Sequence, residues 1–159
     1  MGLDITAYKG LKEVKNPQLD EDGDVVNWDT EWKPGASMEW SEKHFSGRGE
    51  GVDADKVYTF EDEFGFRAGS YSGYNWWRNE LEQFKGDLAF QELINFADNE
   101  GVIGPVVSKK LLNDFKQYEQ EAVEYANTLG ENGPWWLDKY RDWLKAFEYA
   151  SENGAVDFH

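Results

Sequence analysis

From Ser72 to Phe147 large apolar side chains return every three or four positions, whereas before Ser70 they alternate with polar ones. This change of period divides the 159-residue chain into a strand-forming part and a helix-forming part. In the second part Tyr74, Trp77, Leu81 and Phe84 make one helical stripe, and Phe90, Leu93, Ile94 and Ala97 make another with Asp87 as its cap. A long third helix is predicted from a Ser108 cap through Leu111, Phe115, Tyr118, Ala122 and Tyr125. The last opens at Gly133-Pro134, carries Trp136, Tyr140, Trp143, Leu144 and Phe147, and ends at Gly154.

The first part reads as strands and turns. Leu3, Ile5 and Ala7 alternate toward Leu11 and Val14, which predicts a strand bent near Gly10. Asp22-Gly23 marks a turn, "VVNWDTEW" a returning strand, residues 37–43 a short helix and "FSGRGEG" a mobile glycine-rich loop. "KVYTFEDEFGFRAG" supplies one or two short strands kinked at Gly65, and "AVDFH" a final strand able to rejoin the N-terminal sheet. Strands first and helices later predict an α+β fold. We expect an N-terminal antiparallel sheet against a C-terminal bundle of about four helices, in one domain over residues 1–159, with 1–70 mainly strands and loops and 71–154 mainly helices.

Charge and composition narrow the function. The formal charge is −16, from 32 acids against 16 bases, and both halves share it. Phosphate backbones are bound by clustered Lys and Arg, so direct nucleic-acid binding is not expected. An acidic surface serves solubility or mimics DNA. The absence of cysteine excludes disulfides, thiolate metal sites and cysteine nucleophiles. "MGLDITAYKGLKEV" lacks the basic start and apolar core of a signal peptide, and no window is long enough to span a membrane. A cytoplasmic protein with no membrane partner is expected.

The stretch "EFGFRAGSYSGYNWWRNEL" is the leading ligand-site candidate. Two of the four arginines, Arg67 and Arg78, bracket Gly69, Ser70, Tyr71, Ser72, Tyr74 and Trp76. Gly65, Gly69 and Gly73 allow close backbone approach, the serines and the first amides of a helix offer donors to an anion, and the aromatic rings offer faces to a base or sugar. The same residues also suit a plain strand-to-helix turn, with Tyr74 and Trp77 in the core and the arginines paired to acids such as Glu63 or Glu80.

Asp98 and Glu100, in "INFADNEGVIGP", are a second candidate: two close carboxylates serve as acid and base, as part of a divalent-cation site, or as acceptors for ribose hydroxyls or the arginines. The competing reading is a helix-ending turn at Gly101 and a restart after Pro105. "DEDGDVVNWDTE" places Asp20, Asp22, Asp24 and Glu31 at calcium-loop positions, yet Val25 stands where the loop needs glycine. His44 and His159 have no motif partner, and no phosphate-loop or dinucleotide fingerprint is present, so no cofactor is expected. Of the aromatic residues near the last helix, all but Trp135 are expected in the core.

The blocks "GFRAGSYSGYNWWRNEL", "LINFADNEGVIGPVVSKKLLNDF" and "GAVDFH", with the start "MGLDITAY", resemble a family of small, largely uncharacterised proteins of bacterial genomes and bacteriophages. The resemblance implies a phage anti-defence role in the host cytoplasm, by sequestration of a nucleotide immune signal or by inhibition of a nucleic-acid enzyme.

The preferred expectation is therefore a non-enzymatic binding protein that sequesters a small anionic, nucleotide-like ligand at Arg67, Gly69, Ser70, Tyr71, Ser72, Tyr74, Trp76 and Arg78, with Asp98 and Glu100 beside them. The alternatives are an acidic DNA mimic and a metal-assisted hydrolase using Asp98 and Glu100. A second copy of the chain or a host protein is the further partner expected.

Overall fold

Alternation fixes the centre of the molecule. In the computed structural model, which describes residues 2–159, β1 (Gly2–Lys9) runs through the middle of a sheet and turns Leu3, Ile5 and Ala7 to one side. It is followed by β2 (Lys12–Glu13), β3 (Glu31–Trp32), α1 (Gly35–His44), β4 (Tyr58–Thr59), β5 (Asp62–Ser70) and α2 (Tyr71–Lys85). Then come α3 (Gln91–Ile94), β6 (Gly101–Ile103), α4 (Pro105–Gln117), α5 (Glu119–Asn127), α6 (Gly133–Ser151) and β7 (Ala155–Phe158). The architecture is α+β.

The main sheet has the order β5-β1-β7-β6, and every neighbouring pair is antiparallel. The C-terminal strand thus rejoins the N-terminal one, in the centre of the sheet. Leu3, Ile5, Ala7, Ala68, Val156 and Phe158 belong to one large core with the buried faces of α2, α4 and α6. On the other face Val102 and Ala155 join Leu11, Trp32, Met38 and Tyr58 in a smaller core beneath α1 and the small sheet β2-β4-β3.

Aromatic side chains dominate the large core: Trp77, Trp136, Trp143, Tyr74, Tyr140, Phe115 and Phe147 are fully buried. Burying each such ring contributes ~2–3 kcal/mol. The indoles of α2 and α6 answer each other, Trp77 Nε1 donating to the Trp136 carbonyl at 2.9 Å and Trp136 Nε1 to the Trp77 carbonyl at 3.3 Å. Two buried N–H groups are satisfied while the rings pack, which fixes the register of the helices.

Several local expectations are corrected. "VVNWDTEW" yields only the two-residue β3; the residues before it form turns, joined to Leu19 by a single bridge from Val25. Asp87 does not cap α3, whose first turn follows Phe90 at φ +68 with the Phe90 N–H bound to Asp114 Oδ2 at 3.1 Å. Ser108 lies buried inside α4, which starts three residues earlier because Pro105 has the fixed φ and missing N–H that suit a first helical position. The long third helix is two helices, broken at Tyr118.

Gly65 produces no kink. The irregularity of β5 is the register shift opposite Leu3 and Asp4, beside Gly69 at φ +136. Gly101 is not a helix-ending turn but the first residue of β6. The loop "FSGRGEG" is tied down: Arg48 donates to the Glu92 and Asn95 carbonyls at 2.9 and 3.3 Å, and its own carbonyl accepts from Gly104 N at 2.8 Å. Among the described residues no helix is long and apolar enough to cross a membrane.

Candidate functional site

The strand β5 runs directly into α2, and Ser70 is the hinge between them. Its hydroxyl accepts from Gly73 N at 3.0 Å, closing the first turn of the helix, and lies 3.3 Å from the Ser72 hydroxyl. Gly69 and Gly73 do admit close neighbours, but these are the protein's own: Tyr74 N at 3.3 Å from a Cβ on Gly69 and Ser70 Oγ at 3.0 Å from one on Gly73, with Trp135 behind them. A Cβ on Gly69 would stand 3.5 Å from the Trp135 ring, and one on Gly73 4.0 Å from it. Trp135 is 37% exposed, as expected for the outer indole of its pair, and Trp76 lies half-buried against it with ring centroids 6.2 Å apart.

The two arginines of this stretch share no partner. Arg67 projects from β5 and donates through Nη1 to Asp4 Oδ2 at 3.1 Å, with about half of its side chain in solvent. Arg78 lies two turns into α2, half-buried, donating from Nη1 to the Phe96 carbonyl at 2.6 Å and from Nη2 to Asn75 Oδ1 at 2.7 Å. Its guanidinium carbon stands 5.0 Å from the centre of the Tyr74 ring. The two guanidinium groups thus have different partners: Arg67 is tied to Asp4 of β1 beside the capped turn of Gly69, Ser70 and Ser72, and Arg78 to Asn75 and Phe96 on the side face of α2 that carries Tyr71 and Tyr74.

That side face has helical logic. Tyr71, Asn75 and Arg78 fall at i, i+4 and i+7, one above another on the same stripe. Asn75 is the pivot: its Nδ2 donates to the Tyr71 carbonyl at 2.8 Å and to Asp98 Oδ2 at 3.0 Å, while its Oδ1 accepts from Arg78. Asp98 is thus brought beside Arg78 by an amide bridge. Glu100 is not; it is exposed, and its N–H is held by Asn99 Oδ1. Tyr74 has its ring in the core against Trp77 and Trp143, and burial, the largest cause, pushes its phenol well above the usual range against the opposing charge of Arg78. The Tyr74 hydroxyl is buried with no hydrogen-bond partner.

The partners of Arg78 are unusual for so acidic a chain. Arg67 and Arg141 pair with Asp4 and Glu119, but Arg48 and Arg78 make no carboxylate pair among the described residues. Both are held by backbone carbonyls: Arg48 by those of Glu92 and Asn95 at the C-terminal end of α3, Arg78 by that of Phe96 just beyond it. At Arg48 the cation is favoured because the last carbonyls of a helix have no intrahelical donors. Sequence reading missed Arg48 and Asn75, since nothing in the spacing of residues 48, 75 and 78 shows that they meet one loop.

The other sequence candidates resolve plainly. The Asp20 carboxylate is occupied by the Asp22 and Asp24 N–H groups, both at 2.9 Å, and forms a turn. No group of three or more His, Asp or Glu is placed to hold a metal ion among the described residues. His44 ends α1 with its ring 4.9 Å from that of Trp40, and His159 Nε2 lies 2.9 Å from the Thr6 hydroxyl. A cleft of about 570 Å³ beside Lys9, Glu61 and Asn153, and another of about 320 Å³ beside Val123 and Leu137, include none of the candidate residues.

No family model, curated protein or solved structure matches the chain.

Proposed function

We propose that the protein is a non-enzymatic binding protein that takes a small anionic, ring-bearing ligand of nucleotide type on the face of α2 formed by Tyr71, Asn75 and Arg78. The observation that carries this reading is the partner set of Arg78: in a chain with 32 acids, this half-buried guanidinium is held by a carbonyl and an amide. Its charge is fixed in place but not cancelled by direct contact. The arrangement suits a ligand whose anionic group meets Arg78, whose ring lies on the partly exposed Tyr71, and whose hydroxyls donate to the free oxygen of Asp98. Removal of such a ligand from solution is the sequestration role that the phage resemblance implies.

The test is retention. Purified protein is incubated with a panel of nucleotides, freed of unbound ligand and heat-denatured, and the released material is identified by chromatography. Intact nucleotide recovered from the native chain, reduced at least about tenfold in Tyr71→Ala and unchanged in Arg67→Ala, is the expected result. Tyr71→Ala is the cleaner variant, because Arg78→Met also strips the Phe96 carbonyl of its donor. Recovery of a chemically altered ligand would replace the reading with hydrolysis at Asp98, and no retention across the panel would end it.

A further inference from the structure

The segment from Asn16 to Trp32 holds six acids, Asp20, Glu21, Asp22, Asp24, Asp29 and Glu31, with no lysine or arginine among them. It also carries the most exposed large apolar side chain of the described residues, Trp28 at 80%, with Val26 at 50% and Leu19 at 42% in the same segment. Trp28 differs from every other tryptophan in having no aromatic ring neighbour among the described residues. An indole left almost wholly in water gains nothing for this fold, and tryptophans so placed are the residues that anchor protein interfaces.

The segment is not a loose tail. Asp20 closes its tip by accepting from Asp22 N and Asp24 N, and a bridge joins Leu19 to Val25. Lys33 Nζ donates to the Gly23 carbonyl at 2.9 Å. Trp28 rides on a second turn, in which the Asn27 carbonyl accepts from Thr30 N at 3.1 Å and from Glu31 N at 2.9 Å. The backbone that presents the indole is therefore set before any partner arrives, which reduces the ordering cost of binding.

We propose that this acidic arm is a docking surface for a basic protein, with Trp28 entering an apolar socket rimmed by lysines and arginines. Charge selects this occupant. A second copy carries the same −16 and the same six acids, and nucleic acid and anionic bilayers present like charge as well. The carboxylates then speed encounter and set orientation, while the indole supplies the contact that a bare polycation lacks.

The experiment compares two probes on the full chain by titration calorimetry and backbone amide shifts: a cationic amphipathic Lys/Leu peptide, and an oligolysine of the same charge. The expected result is about tenfold tighter binding of the amphipathic peptide, with shifts confined to residues 18–31. Trp28→Ala removes the preference and leaves oligolysine binding unchanged. The triple variant Asp20→Asn, Asp22→Asn, Asp24→Asn, which keeps the turn acceptor, weakens both probes and flattens the dependence on salt. Equal affinity for the two probes, an unaltered preference in Trp28→Ala, or shifts mapping elsewhere would overturn the proposal. The outcome is independent of the α2 face, since Tyr71→Ala leaves the arm intact.

Discussion

Replacing Asp157 by asparagine should stabilise the protein at neutral pH and do nothing of the kind in acid. Asp157 stands on β7 with Thr6 of β1 opposite it on one side and Val102 of β6 on the other. It faces the second layer, where the side chain of Trp32 approaches it. Burial pushes its carboxyl up to about 7 from the usual 3.8, against the downward pull of the Trp32 hydrogen bond. The folded state therefore prefers the protonated acid. Its contribution is complete below the unfolded value near 4 and is lost as pH rises through about 7. About three units at 1.36 kcal/mol each give an upper bound of ~4 kcal/mol. The amide keeps the size and an acceptor for Trp32 but has no proton to lose. Urea unfolding at a series of pH values should show Asp157→Asn gaining on the parent by ~1 kcal/mol per pH unit between about 4 and 7, then holding level. The charge repulsion of the remaining acids is common to both chains and drops out of the difference. A gap that does not change with pH would refute the reasoning, as would a carbon-detected titration placing Asp157 near 4.

Gly154→Ala should be strongly destabilising: the added Cβ would stand 1.8 Å from the Tyr8 carbonyl oxygen, and because that oxygen is backbone the β7–β1 pairing has to shift; a loss of at least ~3 kcal/mol in urea unfolding checks this. Ser70→Ala removes the cap of α2 and should lower stability by ~1 kcal/mol in urea unfolding. Trp77→Phe leaves the Trp136 carbonyl without its indole donor and a gap in the core, for a loss of ~2–4 kcal/mol by the same assay.

The parts of the fold that could be read from sequence are those that local periodicity determines. The stripe through Tyr74, Trp77 and Leu81 becomes the buried face of α2, and the pairing of "AVDFH" with β1 follows from an apolar strand that needs both faces covered. What failed was decided by distant partners. Asp87 looked like a cap, yet the donor it would have served was reached by Asp114 from another helix. Gly69 and Gly73 looked like room for a ligand, and the space beside them is taken by the helix's own first turn and by Trp135, more than sixty positions later. Arg67 and Arg78 are close in sequence, but one stands on a strand and the other on a helix, and they have different partners. Only the strand pairing of β1 with β5 gives Asp4 to the first, and only the return of the chain at Phe96 gives a carbonyl to the second.

How each arginine is held decides what it can attract. At Arg67 an arriving anion has to displace the Asp4 carboxylate, and the exchange gains little because an exposed pair of this kind contributes ~0–1 kcal/mol to begin with. At Arg78 the partners are dipoles, which fix the guanidinium without removing its charge, and Asp98 acts only through the Asn75 amide. The field of that one cation is short, since charges are screened beyond ~8 Å at physiological salt, and outside that radius an anion meets the −16 of the whole chain. A nucleotide is thus repelled on approach and held on arrival, while a basic partner is attracted on approach to the arm around Trp28. Raising the ionic strength from a low value weakens the long-range field first. It should therefore speed association of an anionic ligand at Tyr71 and Arg78 and slow association of a cationic partner at the arm, so the salt dependence of the two on-rates carries opposite signs.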